Sequence, residues 1–279
     1  MECRPARGTI ASTPVLDVVG VIVVFAFCAM ARTKPFLILQ LRPETAAADE
    51  EYVSMLRRGD LEASETVRIR LDREDLPQPL GLDMFSGVIL GGGPGCVSDP
   101  PEKKAPVEVR MEQQLLALMP AVTGLDFPFL GCCAGIGILG RHLDAPVTRA
   151  RYAEPVGGTE CSRTDEGRHD PLLAGVPDRF PALVGHKEAL DALPCGAAHL
   201  VTSPRCPFQM IRHGRNVYAT QFHPESDGDS FELRIRIYAH HGYFDPSEAN
   251  ELIRRAHAVD AEASGRVLAN FVERYRKAL

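Results

Sequence analysis

The sequence predicts an α/β protein: a mostly parallel central sheet flanked by helices, with a helical C-terminal tail. Three observations lead there. Short, continuous apolar runs recur in the first half, the form taken by strands buried on both faces of a parallel sheet. Segments of helical period stand between those runs, at the spacing of strand–helix–strand crossovers. Beyond about residue 228 only helical signals remain.

Taken in order, Phe36 to Leu41 ("FLILQL") reads as the first buried strand, and Glu50 to Arg58 as a helix. Thr66 to Leu71 ("TVRIRL") alternates like a strand, and Phe85 to Leu90 ("FSGVIL") is another apolar strand running into Gly91-Gly92-Gly93-Pro94-Gly95. Glu108 to Met119 ("EVRMEQQLLALM") has helical period, its Met and Leu residues forming a core-facing stripe, and Phe127 to Leu130 returns to strand. From about 145 to 222 the texture shifts to short strand candidates, Ala182 to Val184, Ala198 to Thr202, Phe208 to Arg212 and Asn216 to Phe222, joined by turn-rich loops. That predicts antiparallel character at one end of the same sheet. In the tail, Pro246 is expected to start one helix and Ser264-Gly265 to break before another. With no repeat and no dividing linker, residues 30–279 are expected to form one domain.

The 279 residues can bury a substantial core, and 45% hydrophobic with 24% charged residues is ordinary for a globular enzyme. A net charge of −6 without basic runs gives no reason to expect nucleic acid or an anionic membrane as partner. Eight cysteines, none in a Cys-x-x-Cys pair, fit neither a disulfide scaffold nor zinc-site spacing, so reduced thiols and a cytoplasmic location are expected. Residues 1–29 carry an apolar run, Val18 to Ala31 ("VVGVIVVFAFCAMA"), too short to span a bilayer comfortably. Three readings are open: an over-extended start upstream of Met30, a signal-like segment with Ala29-Met30-Ala31 as cleavage site, or an extra strand.

Chemistry concentrates in three stretches. Gly131-Cys132-Cys133-Ala134-Gly135 has the Gly-x-nucleophile-x-Gly form of a strand-to-helix elbow, with a thiol in the serine place. Cys133 has glycine two residues before and after it; Cys132 does not. A helix beginning at the following "AGIGILGRHL" puts Cys133 at its positive end, which is expected to lower the thiol pKa. By itself the pentapeptide leaves open that both cysteines are buried core residues. Downstream, "NVYATQFHPES" ends an apolar strand in His223-Pro224-Glu225, a base with a carboxylate two residues on. Upstream, "GVILGGGPGCVSDP" is a glycine-rich loop whose backbone N–H groups suit a developing oxyanion; no Lys-Ser or Lys-Thr follows, as a phosphate cradle would need. A plain turn is the alternative there. His169-Asp170 reads as a turn, and His240-His241 as a solvated helix face.

Together these stretches resemble the class I glutamine amidotransferase family, the Cys-His-Glu type, and in particular the glutaminase domain of GMP synthase. The family's runs look like "ILSGGPGSV", "GICLGxQ" and "GVQFHPE"; here they stand as "ILGGGPGCV", "GCCAGIG" and "ATQFHPE", in the same order. The resemblance covers about Thr33 to Glu225 and implies a flavodoxin-like fold. It implies Cys133 as nucleophile, His223 as general base and acid, and Glu225 as the group orienting His223. Gly93 and Ala134 would supply the oxyanion N–H groups, and Gly92, Gly137 and His186 to Glu188, with Lys187 between them, would border the substrate. Metal and organic cofactors are not needed for the implied half-reaction. One place departs: where the family has glutamine, this chain has Gly137.

Three functions follow from the resemblance. The first is glutamine hydrolysis through a cysteinyl thioester, with ammonia passed to a separate synthetase, since no "SGGVDS" loop is present to mark one here. The second is a γ-glutamyl peptidase or hydrolase with the same triad, which Gly137 keeps in view. The third is a non-catalytic regulatory module of the same fold.

Overall fold

The computed structural model describes residues 33–240 and 244–278. The readings of residues 1–29 and of His241 fall outside the described residues.

A nine-stranded sheet organises the chain, in the order β2-β1-β3-β4-β11-β10-β9-β6-β7. Its first half is parallel: β1 (Phe36–Gln40) lies between β2 (Thr66–Arg70) and β3 (Gly87–Leu90), followed by β4 (Phe129–Cys132) and β11 (Val217–Thr220). The 2-1-3-4 sequence with a fifth parallel strand alongside is the flavodoxin-like order. Its other half is antiparallel, through β10 (Met210–His213), β9 (Ala197–Thr202), β6 (Glu154–Arg163) and β7 (Arg179–His186). A small second sheet pairs β5 (Val147–Thr148) with β8 (Ala189–Leu190).

Alternation within the apolar runs decides which face each residue covers. Leu37, Leu39, Val88, Leu90 and Phe129 pack with Met111, Leu115, Ile136 and Leu139 from α2 (Pro106–Gly124) and α3 (Ala134–His142). Their neighbours Phe36, Ile38, Ile89 and Leu130 face the other way, against Met55 of α1 (Thr45–Gly59) and Val267, Leu268 and Phe271 of α6 (Glu262–Tyr275). Between β11 and α6 lie α4 (Gly228–Tyr238) and α5 (Ala249–His257), which form a third, smaller apolar cluster with Leu183 of β7.

Five sequence expectations need correction. The first helix begins at Thr45, a turn earlier than Glu50, and α2 continues through the exposed Pro120 to Gly124. Ser264-Gly265 does not break a helix; both are buried inside α6, where an ideal Cβ on Gly265 would come within 3.0 Å of Arg58 Nη1 on α1. The small pair is there to let α6 approach α1. Strand β6 went unread because Pro155, Gly157 and Gly158 look like turn residues; the strand is made by its long pairing with β7, including a register shift between Glu154 and Gly157. The Asn216 to Phe222 run is strand only through Thr220, and its last residues turn across the sheet end, where His223 N–H donates to Leu183 O at 3.0 Å.

Candidate active site

Four parallel strands, β1, β3, β4 and β11, deliver their carboxyl ends to one edge of the sheet, the place where open α/β sheets bind ligands. The three predicted stretches all begin there: the glycine-rich loop after β3, the elbow after β4 and the histidine segment after β11.

At the elbow, Cys133 occupies φ 52°, ψ −88°, a conformation a side chain rarely adopts, while β4 gives way to α3. Its N–H donates to Thr220 O at 2.8 Å, tying the elbow to the end of β11. Glycine is required at 131 because a Cβ there would lie 2.8 Å from Gly135 Cα, which is backbone and cannot give. The two thiols separate as strand alternation demands. Cys132 is fully buried among the core residues on the α1–α6 face, whereas Cys133 stays partly exposed and lines the cleft.

His223 and Glu225 meet across Pro224. Nδ1 of the histidine and Oε1 of the carboxylate are 2.8 Å apart, so Nδ1–H donates and Nε2 is the free ring nitrogen. Arg234 of α4 donates from Nη1 to Glu225 Oε1 at 3.0 Å and to Ser226 Oγ at 2.7 Å. Burial alone would raise the Glu225 carboxyl, but His223 and Arg234 hold it well below the usual carboxylate range. Burial lowers the His223 pKa from its ordinary value, with Glu225 pulling the other way. The Cys133 thiol is pushed up to about 12 by burial, although the Arg42 guanidinium opposes this. The helix terminus therefore does not produce the lowered thiol expected from the sequence. Burial thus disfavours the charged form of both side chains, the thiolate of Cys133 and the imidazolium of His223.

The glycine-rich loop is held by a buried ion pair that the sequence did not disclose. Glu51 of α1 accepts from Arg42 Nε at 2.8 Å, from Gln40 Nε2 at 3.0 Å and from the Gly92 N–H at 3.2 Å. Gly92 is thus bonded to protein. A Cβ there would sit 2.9 Å from Arg42 Nη2 and 3.0 Å from His223 Cε1, so its glycine lets the base and the guanidinium close on the loop. Gly93 and Ala134 line the same cleft as Cys133.

Cys133, Gly93 and Gly185 form a ridge between two hollows. On one side lie Ala134, Gly137, His186, Lys187, Glu188, Cys96 and Gln221, whose Nε2 is 3.9 Å from Cys133 Sγ. On the other lie His223, Arg42, Arg234, Val156, Phe231, Ile235, Tyr238 and Phe244. Burial lowers the Lys187 pKa. Glu188, expected from the sequence at this border with His186 and Lys187, lines the hollow with them. It is buried, accepts from the N–H groups of Val97 and Ser98 at 2.9 and 2.8 Å, and from Ser98 Oγ at 2.6 Å. Its Oε1 lies 2.9 Å from where a Gly137 Cβ would be, so the carboxylate fills the space a larger residue at 137 would claim.

His186 lies behind this first hollow. Its Nδ1 is 2.9 Å from Glu188 O and its Nε2 is 3.1 Å from Glu154 Oε2. Glu154, His186 and Cys206 have ligand atoms within 4.8 Å of one another, a possible metal-holding trio by type. The Glu154 carboxylate already accepts from Thr159 and Gln209 as well, so this group is closed by its own hydrogen bonds. Elsewhere, His169-Asp170 does form tight turns, with Asp170 paired to Arg212, and His240 is exposed. No helix among the described residues is long and apolar enough to cross a membrane.

Comparison with known proteins bears on the family and the fold. The sequence profile of the family "Glutamine amidotransferase class-I" matches residues 49–236. The chain is 32% identical over 141 residues to the GMP synthase (glutamine-hydrolyzing) of Geobacillus kaustophilus, covering 50% of this chain and 24% of that enzyme. It is 30% identical over 151 residues to the GMP synthase of Thermosipho melanesiensis, covering 54% and 26%. The match thus spans about a quarter of the length of these curated relatives. Among solved structures, a glutamine amidotransferase from Thermotoga maritima superposes with a TM-score of 0.63 at 22% identity, covering 86% of this chain and 99% of that one. A glutamine amidotransferase from Methylobacillus flagellatus gives 0.66 at 21%, covering 88% and 97%. At such identities these neighbours speak to the fold alone.

Proposed function

The chain belongs to the class I glutamine amidotransferase family, and from that premise we propose that it hydrolyses the side-chain amide of glutamine through a thioester on Cys133, passing ammonia to a separate synthetase. The observation that carries the reading is the strained elbow at Cys133 opening onto the same cleft as the hydrogen-bonded His223–Glu225 pair. In this reading Cys133 Sγ attacks the amide carbon as His223 Nε2 takes its proton. The oxyanion is received by the N–H groups of Gly93 and Ala134. His223 then protonates the departing nitrogen, and water, activated by the same ring, releases glutamate. Gly137, His186 and Lys187 border the glutamyl end of the substrate, while Gly92 shapes the loop.

Incubating the full chain with glutamine tests this, reading ammonia and glutamate in equal amounts. A glutamine-like electrophile should add its mass to the Cys133 peptide. Labelling no faster at Cys133 than at Cys206 would favour the non-catalytic module instead.

The pH profile is a further test. Because burial lowers His223 and the thiol titrates only in alkali, the working form is neutral on both sides. The kcat/KM for glutamine should fall only as pH drops below the ordinary imidazole value of about 6.5, and stay flat above it through neutral pH. An acid limb centred above that value contradicts the neutral pair.

A second reading keeps the triad and changes what leaves: a γ-glutamyl peptidase. The carboxylate of Glu188 standing in the space beside Gly137 favours it, since the family's glutamine contact has no room. Gly137→Gln is therefore expected to displace Glu188 from the Val97 and Ser98 N–H groups rather than to improve glutamine use. Overpacking of this kind costs about 1–3 kcal/mol, read as a lowered Tm together with weaker turnover. A gain in kcat/KM for glutamine would show that the pocket does accept the family residue.

A further inference from the structure

The hollow on the His223 side of Cys133 is built unlike an exit for ammonia. The leaving nitrogen takes its proton from His223, so whatever departs does so on that side of the thiol. His223 lines this hollow and not the other one. Ammonia needs neither apolar walls nor a neighbouring cation. Yet the hollow is walled by Val156, Phe231, Ile235 and Phe244, with the Arg42 guanidinium at the end nearest the oxyanion loop. Phe231 stands edge-on to the His223 ring, with centroids 5.4 Å apart, so the apolar wall begins at the base itself.

Arg42 is not consumed by its buried partner. Nε serves Glu51 and Nη1 reaches Tyr238 Oη at 3.5 Å, while Nη2, beside Gly92, has no partner among the described residues. A guanidinium edge over an apolar hollow recognises a carboxylate attached to a hydrocarbon group. Placed on the leaving side of an amide, that description is an α-amino acid with an apolar side chain.

We propose that the substrate this cleft is shaped for is a γ-glutamyl dipeptide whose second residue is apolar. The leaving residue sets its α-carboxylate on Arg42 and its side chain against Val156, Phe231, Ile235 and Phe244. The inference rests on the Cys133 thioester chemistry above and takes the second reading, the γ-glutamyl peptidase, over release of ammonia to a synthetase. The step balances without any co-reactant but water. Cys133 sulfur bonds the γ-carbonyl carbon, the C–N bond breaks, and the nitrogen leaves with a proton from His223 as a free amino acid. Hydrolysis of the thioester then gives glutamate and restores the thiol.

The test compares kcat/KM of the full chain for glutamine, γ-glutamyl-leucine and γ-glutamyl-leucine amide, in wild type and Val156→Trp. The expected result is γ-glutamyl-leucine exceeding glutamine by about tenfold or more, the scale on which a hydrophobic pocket discriminates. Removing the carboxylate charge as the amide should cost about 10–100-fold, the range for a hydrogen bond to a charged group. Val156→Trp, which takes up space in the hollow, should lower kcat/KM for the dipeptide relative to glutamine by about tenfold, with thermal melting beside wild type to show that it folds. Glutamine hydrolysed faster than the dipeptide in wild type overturns the leaving-group proposal and leaves the thioester reading standing. Hydrolysis of neither, with no acyl group on Cys133, overturns both.

Discussion

Cys133→Ala is expected to bring glutamine hydrolysis down to background, while the adjacent Cys132→Ala keeps it. A covalent nucleophile and its base act as a unit, so losing one member removes on the order of 10⁴–10⁶ in kcat. The two thiols are neighbours in sequence but not in environment. Cys133 sits at the turn with φ 52° and faces the cleft; Cys132 belongs to the core packed beneath α1 and α6. Cys132 is fully buried and does not line the cleft. Its loss should appear as about 0.5–3 kcal/mol of stability, the usual span for a point substitution. Ammonia release assayed beside thermal melting separates the two effects. Activity surviving in Cys133→Ala but not in Cys132→Ala would reverse the assignment.

Glu225→Ala should be costly twice over. The carboxylate is fully buried, and its Oε1 accepts both from His223 Nδ1–H and from the Arg234 guanidinium. Removing it leaves Arg234, itself buried, without its closest charge partner, and breaking a buried pair in this way costs about 3–5 kcal/mol. It also frees the imidazole to take the wrong tautomer, a loss on the order of 10⁴-fold in turnover where a triad carboxylate is concerned. Glu225→Gln distinguishes the parts: it keeps the shape, loses the charge, and should be less unstable while nearly as inactive. Acid unfolding adds a signed check. The Glu225 pKa is depressed in the folded chain, so its contribution is present above the unfolded value of about 4.3 and is lost as pH falls below it. The Gln variant should show a shallower loss of stability across that acid window than wild type. Equal slopes would mean that Glu225 holds no net charge interaction in the fold.

Much of the site was readable because each motif is a local answer to a local demand. A glycine two residues before Cys133 is forced by the approach of Gly131 to Gly135, and His223 and Glu225 lie close enough in sequence for one bend to pair them. The buried strands were likewise legible, since a strand covered on both faces is apolar at every position. Strand β6 was not, because its glycines and proline carry no strand preference and pairing with β7 alone makes it extended. Nor was the thiol's raised pKa, since the sequence shows a helix start but not how completely the protein surrounds it.

By itself, then, the sequence determined four of the five parallel strands, the family and the order in which Cys133 and His223 arrive at the strand ends; β11, read with the antiparallel strands, proved parallel to β4. Only the tertiary structure decided that Arg42, Glu51 and Arg234 stand beside Cys133 and His223 and that two different hollows flank the thiol. The reason is physical. Backbone geometry repeats over a few residues and leaves a pattern in the chain, whereas a charge becomes part of a site through burial beside a distant partner, and nothing in its own neighbourhood marks that.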